Sequence, residues 1–162
     1  MMKLQSPFDL LSAGKVSWEK WRREFPDAQA LEPDLHGADL HEADLHGLDL
    51  HRADLTEANL QGADLGEADL KEADLRNADL RRADLSDANL LRANLTGADL
   101  RDAVLSRANL KGAKLSKADF RGTVLEGTIF GKAMLDETNL AGVDLSRAEL
   151  QEVRYETKTK LK

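Results

Sequence analysis

From Pro33 to Glu152 the sequence divides into 24 consecutive blocks of five residues without one insertion. The third residue of each block, its centre, is Leu in 22 blocks; Phe120 and Phe130 are the exceptions. Two residues earlier stands Ala in 18 blocks, and between the two stands Asp or Asn in 18. The two positions after the centre are mostly polar or Gly. A continuous helix turns about 100° per residue, so a five-residue step rotates successive leucines by roughly 140° and scatters them. A flat strand alternates its faces, so an odd step sends successive leucines to opposite sides. Neither element buries all of these leucines together. The chain must bend once per block, with Leu and Ala inward and the other three positions outward. That pattern predicts a solenoid, in which each coil covers its neighbours and the terminal coils need caps.

The motif A-[D/N]-L-x-x, running as Ala53-Asp54-Leu55 through Ala108-Asn109-Leu110, resembles the pentapeptide-repeat proteins. The resemblance covers about three quarters of the chain. It implies an all-β solenoid, a right-handed quadrilateral parallel β-helix with four blocks per coil. Residues 33–152 then make about six coils, and a strand spacing of about 4.8 Å gives a rod roughly 29 Å long. In so narrow a prism a small residue must accompany each Leu, or the coils are forced apart. Leu48 near the start, and Thr123, Thr128, Thr138 and Val143 near the end, enlarge that position. Local widening without a change of fold is the expectation.

Three domains follow: a helical cap at 1–32, the β-helix at 33–155 and a polar tail at 156–162. In the first, SPFDLLSAG predicts a short helix with Ser6 as N-cap, Pro7 in the first turn and Gly14 as stop. SWEKWRREFP predicts a second, with Ser17 as N-cap and Pro26 as terminator. Trp18, Trp21 and Phe25 share one face of it, as expected of a cap over the first coil, and such a Trp-containing helical segment resembles many members of the family. At the other end only Val153 and Tyr155 begin a partial further coil.

Composition narrows the function classes. Cysteine is absent, which removes disulfides and thiolate metal sites. The N-terminal stretch lacks an apolar run of signal-peptide length and no segment could span a bilayer, so a cytoplasmic protein is expected, with no membrane partner. A net charge of −7 argues against direct nucleic-acid binding. That charge is uneven: residues 33–92 carry 6 cationic and 15 anionic side chains, residues 93–152 carry 8 and 9.

Four sets of outward residues are candidate sites. His36, His41, His46 and His51 recur every fifth residue, which suggests a metal site; four blocks per coil put them on four faces, too far apart for one tetrahedral zinc. No metal and no cofactor is therefore expected. Arg81, Arg101 and Arg121 stack 20 residues apart beside Asp79, Asp99 and Asp119, either a candidate anion stripe or a solvated ladder of neutralised pairs. Val104, Val124, Ile129 and Met134 stand where the pattern wants Asp or Asn, and form the candidate partner contact. Leu150 and Tyr155 mark a candidate end-to-end homodimer, because an uncovered last coil exposes leucines and unpaired backbone. No nucleophile–base pair with a cleft, no phosphate loop and no loop insertion is present, so an enzyme is not expected.

The leading expectation is a non-enzymatic scaffold whose flat faces bind a protein partner. An alternative is a DNA mimic directed at a type II topoisomerase, as the fluoroquinolone-resistance members of the family imply. Residues 33–92 place a net −9 on three coils. That is one charge per about 1.6 Å, against one per about 1.7 Å in duplex DNA. A purely structural protein without a dedicated partner is the third reading.

Overall fold

The computed structural model describes residues 6–24, 32–155 and 158–160. Each block contributes one parallel bridge, made by the residue before its centre to the residue 20 positions on: Asp34 with Asp54, Asp54 with Asp74, Asp74 with Asn94. Twenty residues are four blocks, so each coil has four sides. Four ladders run along the rod, starting at Asp34, Asp39, Asp44 and Asp49, and the third of them ends at Val124. Each face is named below by that first residue.

Inside a block the bend is a tight turn. Ala58 N donates to Leu55 O at 3.1 Å, and Asp54 Oδ1 accepts from Thr56 N at 3.0 Å. The residue between, Glu57, has a φ of 58°. Fifteen non-glycine residues in equivalent places have φ between 55° and 63°. A left-handed residue other than glycine costs about 1–2 kcal/mol. Thirteen of them are held there by a hydrogen bond to the next coil, as where Glu57 N donates to Arg76 O at 2.9 Å. None of the fifteen is β-branched or aromatic, the residue types that tolerate this conformation worst.

The interior is what the repeat dictates. From Leu50 to Ala118 every centre and every small inward position is at most 1% exposed. Where the pattern loosens, the ladder holds its register through Asn109–Ile129 and Asp119–Asn139. Phe120 and Phe130 meet with centroids 6.2 Å apart. The threonines that replace alanine bury their hydroxyls by donating to carbonyls, Thr128 to Leu105 O at 2.7 Å and Thr138 to Leu115 O at 2.8 Å.

Two helices precede the rod, α1 at Pro7–Ser12 and α2 at Lys15–Glu24. Ser6 caps α1 with a reciprocal pair of hydrogen bonds to Asp9, and Pro7 opens the first turn. Ser17 is not the N-cap of α2. Gly14, at φ 100°, follows α1, and its carbonyl accepts from Ser17 N and Trp18 N, so the helix starts at Lys15, three residues before the Trp18 that a Ser17 cap requires. Phe25 and Pro26 lie outside the described residues. No helix among the described residues is long and apolar enough to cross a membrane.

The ladder also runs past the expected boundary at Tyr155. Arg154 bridges Met134, and Lys160 bridges Asn139 across 21 residues, one more than the regular step. Residues 158–160 therefore pair with the rod, and a separate polar tail from 156 does not describe them. The single missing rung among the described residues between coils five and six is Val124 opposite Asp144.

Candidate interaction surfaces

The outward side chains carry the variable chemistry. On the Asp39 face the three arginines stack as spacing predicts, and each is already occupied. Arg81 Nη2 lies 2.6 Å from Asp79 Oδ2, and Arg121 Nη2 lies 2.6 Å from Asp119 Oδ2; Arg101 pairs with Asp99 in the same manner. Hydrogen bonds from these guanidiniums hold the Asp79, Asp99 and Asp119 carboxyls below the usual carboxylate range, against a smaller opposing push from burial. This is the arrangement of a neutralised ladder, and it leaves no bare cationic stripe.

The four apolar residues do not form one patch. Val104 and Val124 bridge each other on the Asp44 face, Ile129 lies on the Asp49 ladder and Met134 on the Asp34 ladder. A flat partner can touch the valines, but Ile129 and Met134 turn away around successive corners. The correction follows from their spacing: consecutive blocks occupy consecutive faces. Val124 is the most open of the four, at 47% exposure.

The histidines occupy the four faces of the first coil and engage four separate partners. His36 Nδ1 meets Thr56 Oγ1 at 2.7 Å, His41 meets Asp39 at 2.8 Å, His46 meets Asp64 at 3.4 Å, and His51 meets Asp49. The hydrogen bond that His41 donates to the Asp39 carboxylate raises the His41 pKa and lowers that of Asp39. One grouping escaped the sequence reading: Asp49, His51 and Asp69 bring ligand atoms within 4.8 Å of one another. A cation already stands beside it, since Arg22 Nη2 is 3.7 Å from Asp49 Oδ1.

Arg22 is the residue that sequence reasoning missed. It is 4% exposed, its guanidinium lies 5.6 Å and 5.8 Å from the Trp18 and Trp21 rings, and burial lowers its pKa. Nε donates to Asp49 O at 3.2 Å and Nη2 to His51 O at 3.0 Å. Trp18 Nε1 donates to Asp49 O at 2.8 Å, and Lys15 Nζ to His46 O. Elsewhere in the rod, carbonyls at these block positions accept from backbone N–H groups of the preceding coil, as Asp74 O does from Leu55 N. Side chains of α2 thus donate to the first coil where, farther along the rod, a preceding coil does. At the opposite end Leu150 and Tyr155 are 42% and 63% exposed.

Several solved structures resemble this arrangement. HetL, a pentapeptide-repeat protein involved in heterocyst differentiation regulation from Nostoc sp. strain PCC 7120, is 39% identical over 80% of this chain, with a TM-score of 0.41. The chain spans 62% of the length of HetL. Rfr23 from Cyanothece 51142 is 26% identical over 86% of this chain and 99% of its own, with a TM-score of 0.51. The protein alr5209 from Nostoc is 31% identical over 82% of this chain and 92% of its own, with a TM-score of 0.38. Among curated proteins none matches at a significant level. The family model for pentapeptide repeats matches residues 34–71, 63–102, 88–127 and 103–142. With its ladders repeating every 20 residues, the chain belongs to the pentapeptide-repeat family.

Proposed function

We propose that the protein is a non-enzymatic scaffold: a right-handed quadrilateral β-helix, capped by α1 and α2, whose flat outer faces bind a protein partner. One observation carries this reading. The backbone and the Leu–Ala interior satisfy each other within the rod, so the outward positions are the part of the molecule left for recognition. A straight prism holds such positions rigidly, and its surface depressions, such as the one lined by Asp39, His41, Gln61 and Arg82, are open and polar and not enclosed apolar clefts. Placing a photo-cross-linking residue singly at Arg76, Arg101, Ser86 and Lys71 samples the four faces in the source cell. Adducts of one defined mass from one face or two adjacent faces are expected. Adducts from none of the four would leave the purely structural reading in its place.

The last coil, paired with Arg154 and Lys160 on two sides but open at Leu150, supports a second element of the proposal, a homodimer through Leu150 and Tyr155. Light scattering coupled to size exclusion should give about twice the 17.9 kDa chain mass. A dimer that survives Leu150→Arg with Tyr155→Arg would place the contact elsewhere. The DNA-mimic reading is favoured only by the linear charge density of residues 33–92. No inhibition of gyrase supercoiling at about micromolar protein would retire it.

A further inference from the structure

The Asp44 face differs from the other three in a way that charge counting along the chain does not reveal. Its ladder reads Asp44, Asp64, Asp84, Val104, Val124. In coils two and three, Asp64 and Asp84 are exposed, whereas the six equivalent residues on the other faces are half-buried. The Asp64 side chain is 52% exposed, against 30% for Asp79 under its arginine. The residue two positions on differs as well: Gly66 and Ser86 here, but Thr56, Gln61, Lys71, Arg76, Arg81 and Leu91 on the other faces. A Cβ at Gly66 would lie 2.8 Å from His46 Nδ1 and 3.1 Å from Asp64 Oδ1, so this surface is kept flat.

Nor is the charge balanced. The first three coils of this face and its trailing corner hold Asp44, Asp64, Glu67, Asp84 and Asp87 with no Lys or Arg. Arg107 reaches back from the fourth coil to Asp87, and Lys15 is spent on a carbonyl. Beyond the acids the surface turns apolar at Val104 and Val124.

We infer that the Asp44 face docks a basic amphipathic helix of another protein, with cations over Asp44, Asp64 and Asp84 and apolar side chains over Val104 and Val124. This rests on the scaffold reading and names its face and its partner. Nucleic acids and anionic lipid surfaces are repelled by the same carboxylates. Coil spacing of about 4.8 Å puts Asp84 about 10 Å and Val124 about 19 Å from Asp44. A helix rising about 1.5 Å per residue covers those distances with side chains at i, i+4, i+7, i+11 and i+14. An extended strand steps about 6.8 Å between same-side residues and falls out of phase within two coils.

The test titrates the full chain, followed by amide NMR shifts at low salt, with a synthetic stapled 16-residue helix. The peptide carries Lys at the first three of those positions and Leu at the last two; a scramble of equal composition is the control. Shifts confined to the Asp44 face are expected, with the scramble about tenfold weaker. Asp44→Asn/Asp64→Asn/Asp84→Asn should weaken binding about tenfold. The fold survives this change, because Asn59 Oδ1 already accepts the same turn hydrogen bond from Gln61 N at 3.2 Å. Asp79→Asn/Asp99→Asn should stay within about twofold, and Val124→Asp should erase the preference over the scramble. Equal binding of the scramble, shifts centred on another face, or an unaffected triple variant would overturn the proposal. Cellular adducts from a different face would overturn it too while leaving the scaffold reading intact; the absence of adducts from every face would remove the scaffold reading itself.

Discussion

At the N-terminal end Trp18 is fully buried, and Trp18, Arg22 and Lys15 donate to the carbonyls of Asp49, His51 and His46. At the C-terminal end Leu150 and Tyr155 are exposed, and the rung between Val124 and Asp144 is missing. The interior code hardly differs between the two, since Leu sits at the centres of both. What differs is who answers the backbone. A coil in mid-rod has neighbours on both sides, a terminal coil only one, and the unanswered groups need side chains, water or another molecule. The first coil receives side-chain donors from α2. The last coil receives a partial strand in a shifted register.

The contrast can be broken most forcefully at its buried side. Trp18→Ala should cost about 3–5 kcal/mol by chemical denaturation, because it removes a fully buried ring and a donor together. Tyr155→Ala, at the open end, should change stability by no more than about 0.5 kcal/mol in dilute monomer. Equal losses would mean that both ends are sealed alike. Next comes the middle of the rod as reference. Leu85 is 0% exposed, and Leu85→Ala should cost about 2–5 kcal/mol. Leu150→Ala and the outward Asp84→Ala should each cost less than about 1 kcal/mol. If all three lowered the melting temperature alike, the inward and outward assignments would be wrong.

Arg22→Met keeps the stem between the tryptophans but withdraws two donors from the first coil, and should cost about 1–3 kcal/mol. Hydrogen exchange should then speed up in coil one and not in coil six. The smallest effect concerns pH. Asp79, Asp99 and Asp119 titrate below the ordinary 3.8 in the folded state. Their contribution is therefore complete above the unfolded pKa and is lost as pH falls through the folded one. Asp99→Asn should make the decline of melting temperature below about pH 4 shallower while leaving the neutral-pH fold unchanged. A steeper decline would mean that the arginine ladder does not hold these carboxylates in solution.

How much of this was legible in the sequence depends on whether the repeat encodes it. The inward place of Leu85, the pairing of Arg101 with Asp99 and the dispersal of the histidines follow from a period of five and a coil of 20. The same arithmetic, carried one step further, separates Ile129 and Met134 from the valines, because consecutive blocks must lie on consecutive faces. The ends are different. Arg22 falls four residues after Trp18 and so on the same buried face of α2, while Arg23 falls off that face and is exposed. A charged residue on an aromatic face was passed over in favour of Trp18, Trp21 and Phe25. What the sequence does not give is the partner of that face, the carbonyls of Asp49 and His51 to which the Arg22 side chain donates. The extra residue before Lys160 is weakly marked, because the tail has no Ala and its one Leu, Leu161, stands one place later than the five-residue step requires.

The 20-residue ladder also makes the rod a matter of phase. Adding 20 residues lengthens it by about 4.8 Å and leaves every later side chain on its original face. Adding five preserves the core equally well but rotates everything downstream by a quarter turn, so the exposed aspartates and the valines would no longer share a surface. Such a chain would melt like its parent and present a different molecule to its surroundings. For this architecture, stability reads the sequence in fives while recognition reads it in twenties, and a protein can be lost to the second reader without any sign to the first.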